Sequence, residues 1–83
     1  MDIKMKVESF KSMMKSCYTY GGVQRDGRNF ERYLTPYQSR LGNDLFNKIY
    51  EEYSEHLSNT YEVEFNVYSD FEGLTYHQLK LKL

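Results

Sequence analysis

The 83 residues include one cysteine, one proline, five glycines and no tryptophan. A single Cys17 excludes an intramolecular disulfide and leaves any cysteine-based zinc site without its other thiolates. Small secreted domains are usually stapled, so the reducing interior of a cell is the expected compartment. Long apolar runs are missing as well. Nothing approaches the roughly 20 apolar residues of a membrane span, and the first residues alternate lysine with apolar side chains instead of forming a signal peptide. No glycine-rich phosphate loop follows a strand, because Tyr20-Gly21-Gly22 comes off a helical pattern. Repeats, low-complexity runs and linkers are absent, so residues 1–83 read as one domain. A chain this short buries only about 60% of its unfolded surface and builds one small core.

Aromatic residues are what the chain has in plenty: nine Tyr and five Phe. The core is therefore expected to be aromatic. Tyrosine also buries a large rigid area while keeping a polar tip, which suits binding surfaces.

Charge is divided by position. From Met1 to Arg40, eight bases (Lys4, Lys6, Lys11, Lys15, Arg25, Arg28, Arg32, Arg40) face four acids (Asp2, Glu8, Asp26, Glu31), a balance of +4. From Leu41 to Tyr76, eight acids (Asp44, Glu51, Glu52, Glu55, Glu62, Glu64, Asp70, Glu72) face Lys48 alone, a balance of −7. Lys80 and Lys82 return the total to −1. A near-neutral sum thus covers a bipolar molecule, a pattern that points to charged partners and is silent about fold.

Ile3, Val7, Phe10, Met14 and Cys17 recur at intervals of four, three, four and three, which predicts an amphipathic helix over residues 3–18. Gly21-Gly22 ends it, since glycine accepts the left-handed conformation of a helix terminus. Between Val23 and Leu34, Asp26-Gly27 is a hairpin signal, and two short strands or a loop from Gly21 to Asn29 are the competing readings. Thr35-Pro36 then predicts a helix start, with Thr35 as cap and Gln38 as its reciprocal partner. Leu41, Leu45, Phe46, Ile49, Tyr50, Tyr53 and Leu57 carry that second helix to about Asn59, with Gly42 an interior weakness of about 1 kcal/mol relative to alanine. Tyr61, Val63, Phe65 and Val67 alternate with polar residues in a strand. After a turn at 70–73, Leu79, Leu81 and Leu83 do the same in a second strand. Leu74 and Tyr76 have the opposite parity, which predicts a bulge or a late strand start, and Lys80 and Lys82 are expected across from Glu62 and Glu64. The expected fold is α+β, two helices packed on a small antiparallel sheet in the order α-(ββ)-α-β-β.

Convergent catalytic groups are not evident, and neither cofactor nor metal is expected. Glu52 and His56 share a helix face, but two ligands do not make a metal site. Cys17 lies on an apolar stripe and reads as a small buried hydrophobe. Two surfaces remain. Glu51, Glu52, Glu55, Glu62, Glu64, Asp70 and Glu72, joined by Tyr68 on the outer strand face, read as one anionic surface that complements a basic nucleic-acid-binding protein. The alternative is direct nucleic-acid binding by Arg25, Arg28, Arg32 and Arg40, interleaved with Tyr20, Phe30, Tyr33 and Tyr37. A homodimer formed through the apolar stripe of the first helix is compatible with either.

In size, a Lys-, Asn- and Tyr-rich composition and an acidic aromatic half, the chain resembles small proteins carried by bacteriophages and other mobile elements. Among these it is similar in type to anti-CRISPR proteins, several of which occupy the DNA-binding surface of a CRISPR nuclease. The resemblance rests on whole-chain character and transfers no site residues. It implies a non-enzymatic inhibitor of a CRISPR effector nuclease, acting in the cytoplasm of a host bacterial cell. The Arg25–Arg40 segment departs from a DNA mimic, which would be acidic throughout. It fits inhibitors that bind a nuclease together with its guide RNA, or elsewhere on the protein.

Overall fold

Asp2 starts the first helix, α1 (Ile3–Thr19), its carboxylate accepting the Lys4 backbone N–H at 3.2 Å. The computed structural model describes residues 2–67 and 75–82, of which the strand residues 64–67 and 75–78 are described by backbone alone. The predicted stop is where α1 ends. Gly21 and Gly22 have φ of +122° and +99°, and the Gly22 N–H reaches back to the Cys17 carbonyl at 2.7 Å. The Asn29 amide donates to the Tyr20 and Gly22 carbonyls at 3.0 and 3.1 Å, tying the helix end to the segment that follows.

That segment departs in part from the sequence reading. No hairpin forms; the alternative, a loop from Gly21, holds as far as Gly27, and residues 28–34 are helical. Gly27 N–H closes a turn on the Gln24 carbonyl at 3.0 Å, and the chain then coils into a helical stretch whose turn Phe30–Leu34 is a wide π-type turn. A type I′ hairpin turn needs positive φ at both central residues, and neither Asp26 nor Gly27 has it. Pro36 takes the first position of the next helix, as expected, but Thr35 before it is already helical, with φ −58° and ψ −31°. A proline ring in a regular helix collides with the carbonyl four residues back. The wider turn, closed by Thr35 N–H to the Phe30 carbonyl at 2.9 Å, gives it room. Thr35 consequently does not cap. Its hydroxyl bonds the Glu31 carbonyl at 2.6 Å, and Gln38 reaches Asn43 at 2.9 Å instead of completing a capping box.

The expected long second helix is two helices, α2 (Pro36–Leu41) and α3 (Asn43–Thr60), separated by Gly42 at φ +85° and ψ 151°. The chain passes from Thr60 directly into β1 (Tyr61–Val67), which pairs antiparallel with β2 (Thr75–Leu81). Glu62 lies opposite Lys80 as expected, but Glu64 is opposite Gln78, because Lys82 lies past the ladder and its N–H bonds the Thr60 carbonyl at 2.9 Å. The register runs from Thr75 to Leu81 without a bulge. The expected turn at 70–73 lies outside the described residues.

The α+β class holds, with a helical core in place of helices laid on a sheet. Its buried members are Phe10, Met14 and Cys17 of α1, Leu34, then Tyr37 and Leu41 of α2, and Phe46, Ile49, Tyr50 and Leu57 of α3. Phe46 stacks on Phe10 at 5.0 Å between centroids and meets the edge of Phe30 at 5.9 Å, while Phe10 stacks on Tyr37 at 5.2 Å. Such pairs add about 0.5–1.5 kcal/mol each beyond the area they bury. The hairpin attaches at its base, where Tyr18 donates its hydroxyl to the Tyr61 carbonyl at 3.0 Å.

Burial raises the proton affinity of two core groups. Desolvation pushes the Cys17 thiol up. It also raises the Tyr50 phenol, helped by the nearby Asp26 charge and opposed by Arg25. A raised folded-state pKa means the folded chain holds these protons when the unfolded chain has begun to lose them. The stabilisation is therefore complete below about pH 8.5, the ordinary thiol value, and declines as pH rises through the folded values. Thermal melting followed by circular dichroism is expected to fall from pH 8 to pH 10, and less so in Cys17→Ala. A flat profile in the native chain would contradict this.

Candidate functional site

The α3 periodicity that buries Phe46, Ile49, Tyr50 and Leu57 leaves Glu51, Glu52 and Glu55 exposed on the outside of the helix. These positions are three or four residues apart or adjacent, so their carboxylates crowd within about 5–6 Å at the Cβ atoms of neighbouring turns. Compensation is slight. Glu51 meets Arg25 at 3.7 Å in an exposed ion pair, the only salt bridge among the described residues. Glu52 lines a shallow cleft with Lys11, Tyr53 and His56, and the Lys11 ammonium lies 5.6 Å from the Tyr53 ring centroid. His56 stacks on Tyr53 at 5.4 Å and contacts the Thr60 hydroxyl. Glu62 is exposed on β1, close after α3, with Lys80 opposite. Glu64 has a register position only, and Tyr68, Asp70 and Glu72 lie outside the described residues.

The four arginines do not act as one patch. Arg25 turns toward α3, where its guanidinium lies 4.5 Å from the Tyr50 ring centroid, donates to Asn47 at 3.2 Å and pairs with Glu51. The Tyr50 hydroxyl in turn donates to the Val23 carbonyl. Arg25 is thus held by the fold. Arg28 is exposed at the head of the helical stretch. Arg32 and Arg40 have other neighbours, each lying over a tyrosine: Arg32 over Tyr33 at 5.6 Å and Arg40 over Tyr37 at 5.2 Å.

Sequence reading missed two neighbours of Arg40. Lys6 and Ser9 of α1 line a groove with Tyr37 and Arg40, and the Ser9 and Tyr37 hydroxyls share a hydrogen bond at 2.9 Å. The available signal was the spacing of Lys6, Ser9, Met13 and Ser16, a second stripe of α1 beside its apolar one. Of the apolar stripe, Phe10, Met14 and Cys17 are buried within this chain, whereas Ile3 is 50% exposed. Among the described residues no three His, Cys, Asp or Glu side chains converge on a metal position, and no helix is long and apolar enough to cross a membrane. No protein-family model, curated protein or solved structure matches the chain.

Proposed function

We propose that this is a non-enzymatic binding protein whose acidic α3–β1 face docks on a basic nucleic-acid-handling enzyme in the cytoplasm and inhibits it. A CRISPR effector nuclease of a host bacterial cell is the most concrete partner. One observation carries the reading: Glu51, Glu52 and Glu55 stand together in solvent with a single exposed ion pair between them. Like charges at these helical spacings cost the free protein stability. A basic groove built for phosphates relieves that repulsion on binding and is steered toward it over distance. Glu62, exposed on β1, belongs to the same proposed surface on sequence grounds, as do Glu64, Tyr68, Asp70 and Glu72.

The test is affinity capture from lysates of bacteria carrying CRISPR systems, followed by a cleavage assay with the captured enzyme. The expected result is a complex that survives nuclease treatment and blocks cleavage. Glu51→Lys, Glu52→Lys and Glu55→Lys combined should weaken inhibition by at least about a hundredfold, because like charge set against like costs several kcal/mol. Undiminished inhibition by the triple variant would remove the acidic face from the mechanism.

A further inference from the structure

The groove on the far flank of α1 has the opposite character. Its α1 wall carries Lys6, Ser9, Met13 and Ser16, at intervals of three, four and three. The facing wall carries Arg40, Tyr37 and Tyr33, from α2 back into the π-type turn. From Lys6 to Ser16 the helix rise makes this about 15 Å long. Two open clefts lie along it, one of about 410 Å³ at Lys6, Ser9, Tyr37 and Arg40 and one of about 350 Å³ at Met13, Ser16 and Tyr33. No carboxylate lines either end among the described residues. Lys11 and Lys15 are not part of it: they turn to the α3 side and lie over Tyr53 and Tyr61.

We infer that this groove binds single-stranded nucleic acid, with phosphates held by Lys6 and Arg40, which line it, and by Arg32, which lies over Tyr33, and with a base stacked on Tyr33. Three features favour it over an acidic peptide. The guanidinium groups of Arg32 and Arg40 lie over tyrosine rings, and neither forms an ion pair among the described residues. Tyr33 is 41% exposed although it lines the groove, so it offers ring area to a base; a carboxylate ligand has no use for it. The paired Ser9 and Tyr37 hydroxyls add neutral donors between the cations, suited to sugar or phosphate oxygens. A duplex is disfavoured because stacking on Tyr33 requires an unpaired base. This inference is independent of the acidic face, and either stands if the other falls.

Fluorescence polarisation with labelled dT12 and rU12 tests it on the full chain. Both oligomers are expected to bind in 50 mM salt. Three neutralised phosphates give a log–log salt slope near −2, so affinity should drop roughly 20-fold by 200 mM salt. Lys6→Gln, Arg32→Gln and Arg40→Gln combined should lose at least about tenfold in affinity at 50 mM, and Tyr33→Ala at least about fivefold. Arg25→Gln, whose guanidinium is held against α3, should bind as the native chain does. The cations substituted are surface groups, and unchanged circular dichroism melting of the triple variant shows that the fold survives. A tighter hold on rU12 identifies RNA as the ligand, and a tighter hold on dT12 identifies single-stranded DNA. Absence of binding to both oligomers at 50 mM salt overturns the inference. So does loss of binding in Arg25→Gln with retention in the triple variant, or capture of an acidic peptide in preference to either oligomer.

Discussion

Phe46→Ala is expected to remove about 3–5 kcal/mol of folding stability, as deletion of a fully buried ring does when its surroundings cannot close over the space. Phe46 is 1% exposed and touches three other aromatic rings: Phe10 from α1, Phe30 from the π-type turn and Tyr50 from its own helix. It is therefore the point at which the segments forming the helical core meet. A chain of 83 residues has about 4–12 kcal/mol of stability in total, taking about 0.05–0.15 kcal/mol per residue. The substitution thus removes at least about a quarter of what holds the molecule folded. Urea unfolding followed by circular dichroism should show a large drop in midpoint, and Phe46→Leu, which keeps most of the volume, a much smaller one. A loss below about 1 kcal/mol for the alanine variant is too small for a buried ring and would show that Phe46 is not the hub described.

The second large effect is at Gly42, and its sign is the informative part. In an uninterrupted helix, glycine to alanine gains about 1 kcal/mol. Gly42 instead sits at φ +85° and ψ 151°, a region almost confined to glycine, where another residue costs about 1–3 kcal/mol. An added Cβ meets nothing within 4 Å, so the cost comes wholly from backbone conformation and packing cannot relieve it. Gly42→Ala should therefore lower Tm by about 4–8 °C for each kcal/mol lost. A rise in Tm would mean that α2 and α3 are one continuous helix. The break has a structural use: it lets α2 turn so that Tyr37 and Leu41 face Phe10 and the rest of the core, while Arg40 is left outside beside Lys6.

The surfaces follow from these backbone choices. Because Arg25 is drawn onto Tyr50 and Glu51, and Lys11 and Lys15 lie over Tyr53 and Tyr61, the basic character of the first forty residues divides between these three cations beside α3 and β1 and the group of Lys6, Arg32 and Arg40. A molecule with an acidic strip on one helix and a cationic, tyrosine-lined groove on another is suited to an assembly that presents both protein and nucleic acid. A nuclease carrying its guide is such an assembly, and the cleavage and polarisation assays examine the two faces separately.

The sequence by itself determined the elements whose signals are local. The stripe of α1, its double-glycine stop, the apolar period of α3, the β1–β2 pairing with Glu62 opposite Lys80, and the exposure of Glu51, Glu52 and Glu55 all depend on residues within a few positions or on strict alternation. The tertiary structure decided the path from Val23 to Gly42. Phe30, Leu34, Tyr37 and Leu41 are spaced four, three and four, a helical stripe that runs straight through Pro36. The proline argues locally against a helical path running through it, while the Asp26-Gly27 pair sits in the turn before that path begins. Burying four large side chains against Phe10 and Phe46 outweighs that local preference, and a widened turn accommodates the ring. The arginines were decided in the same way. A long side chain can reach partners on several elements, so whether it pairs with an acid, covers a tyrosine or faces solvent depends on what the fold brings beside it.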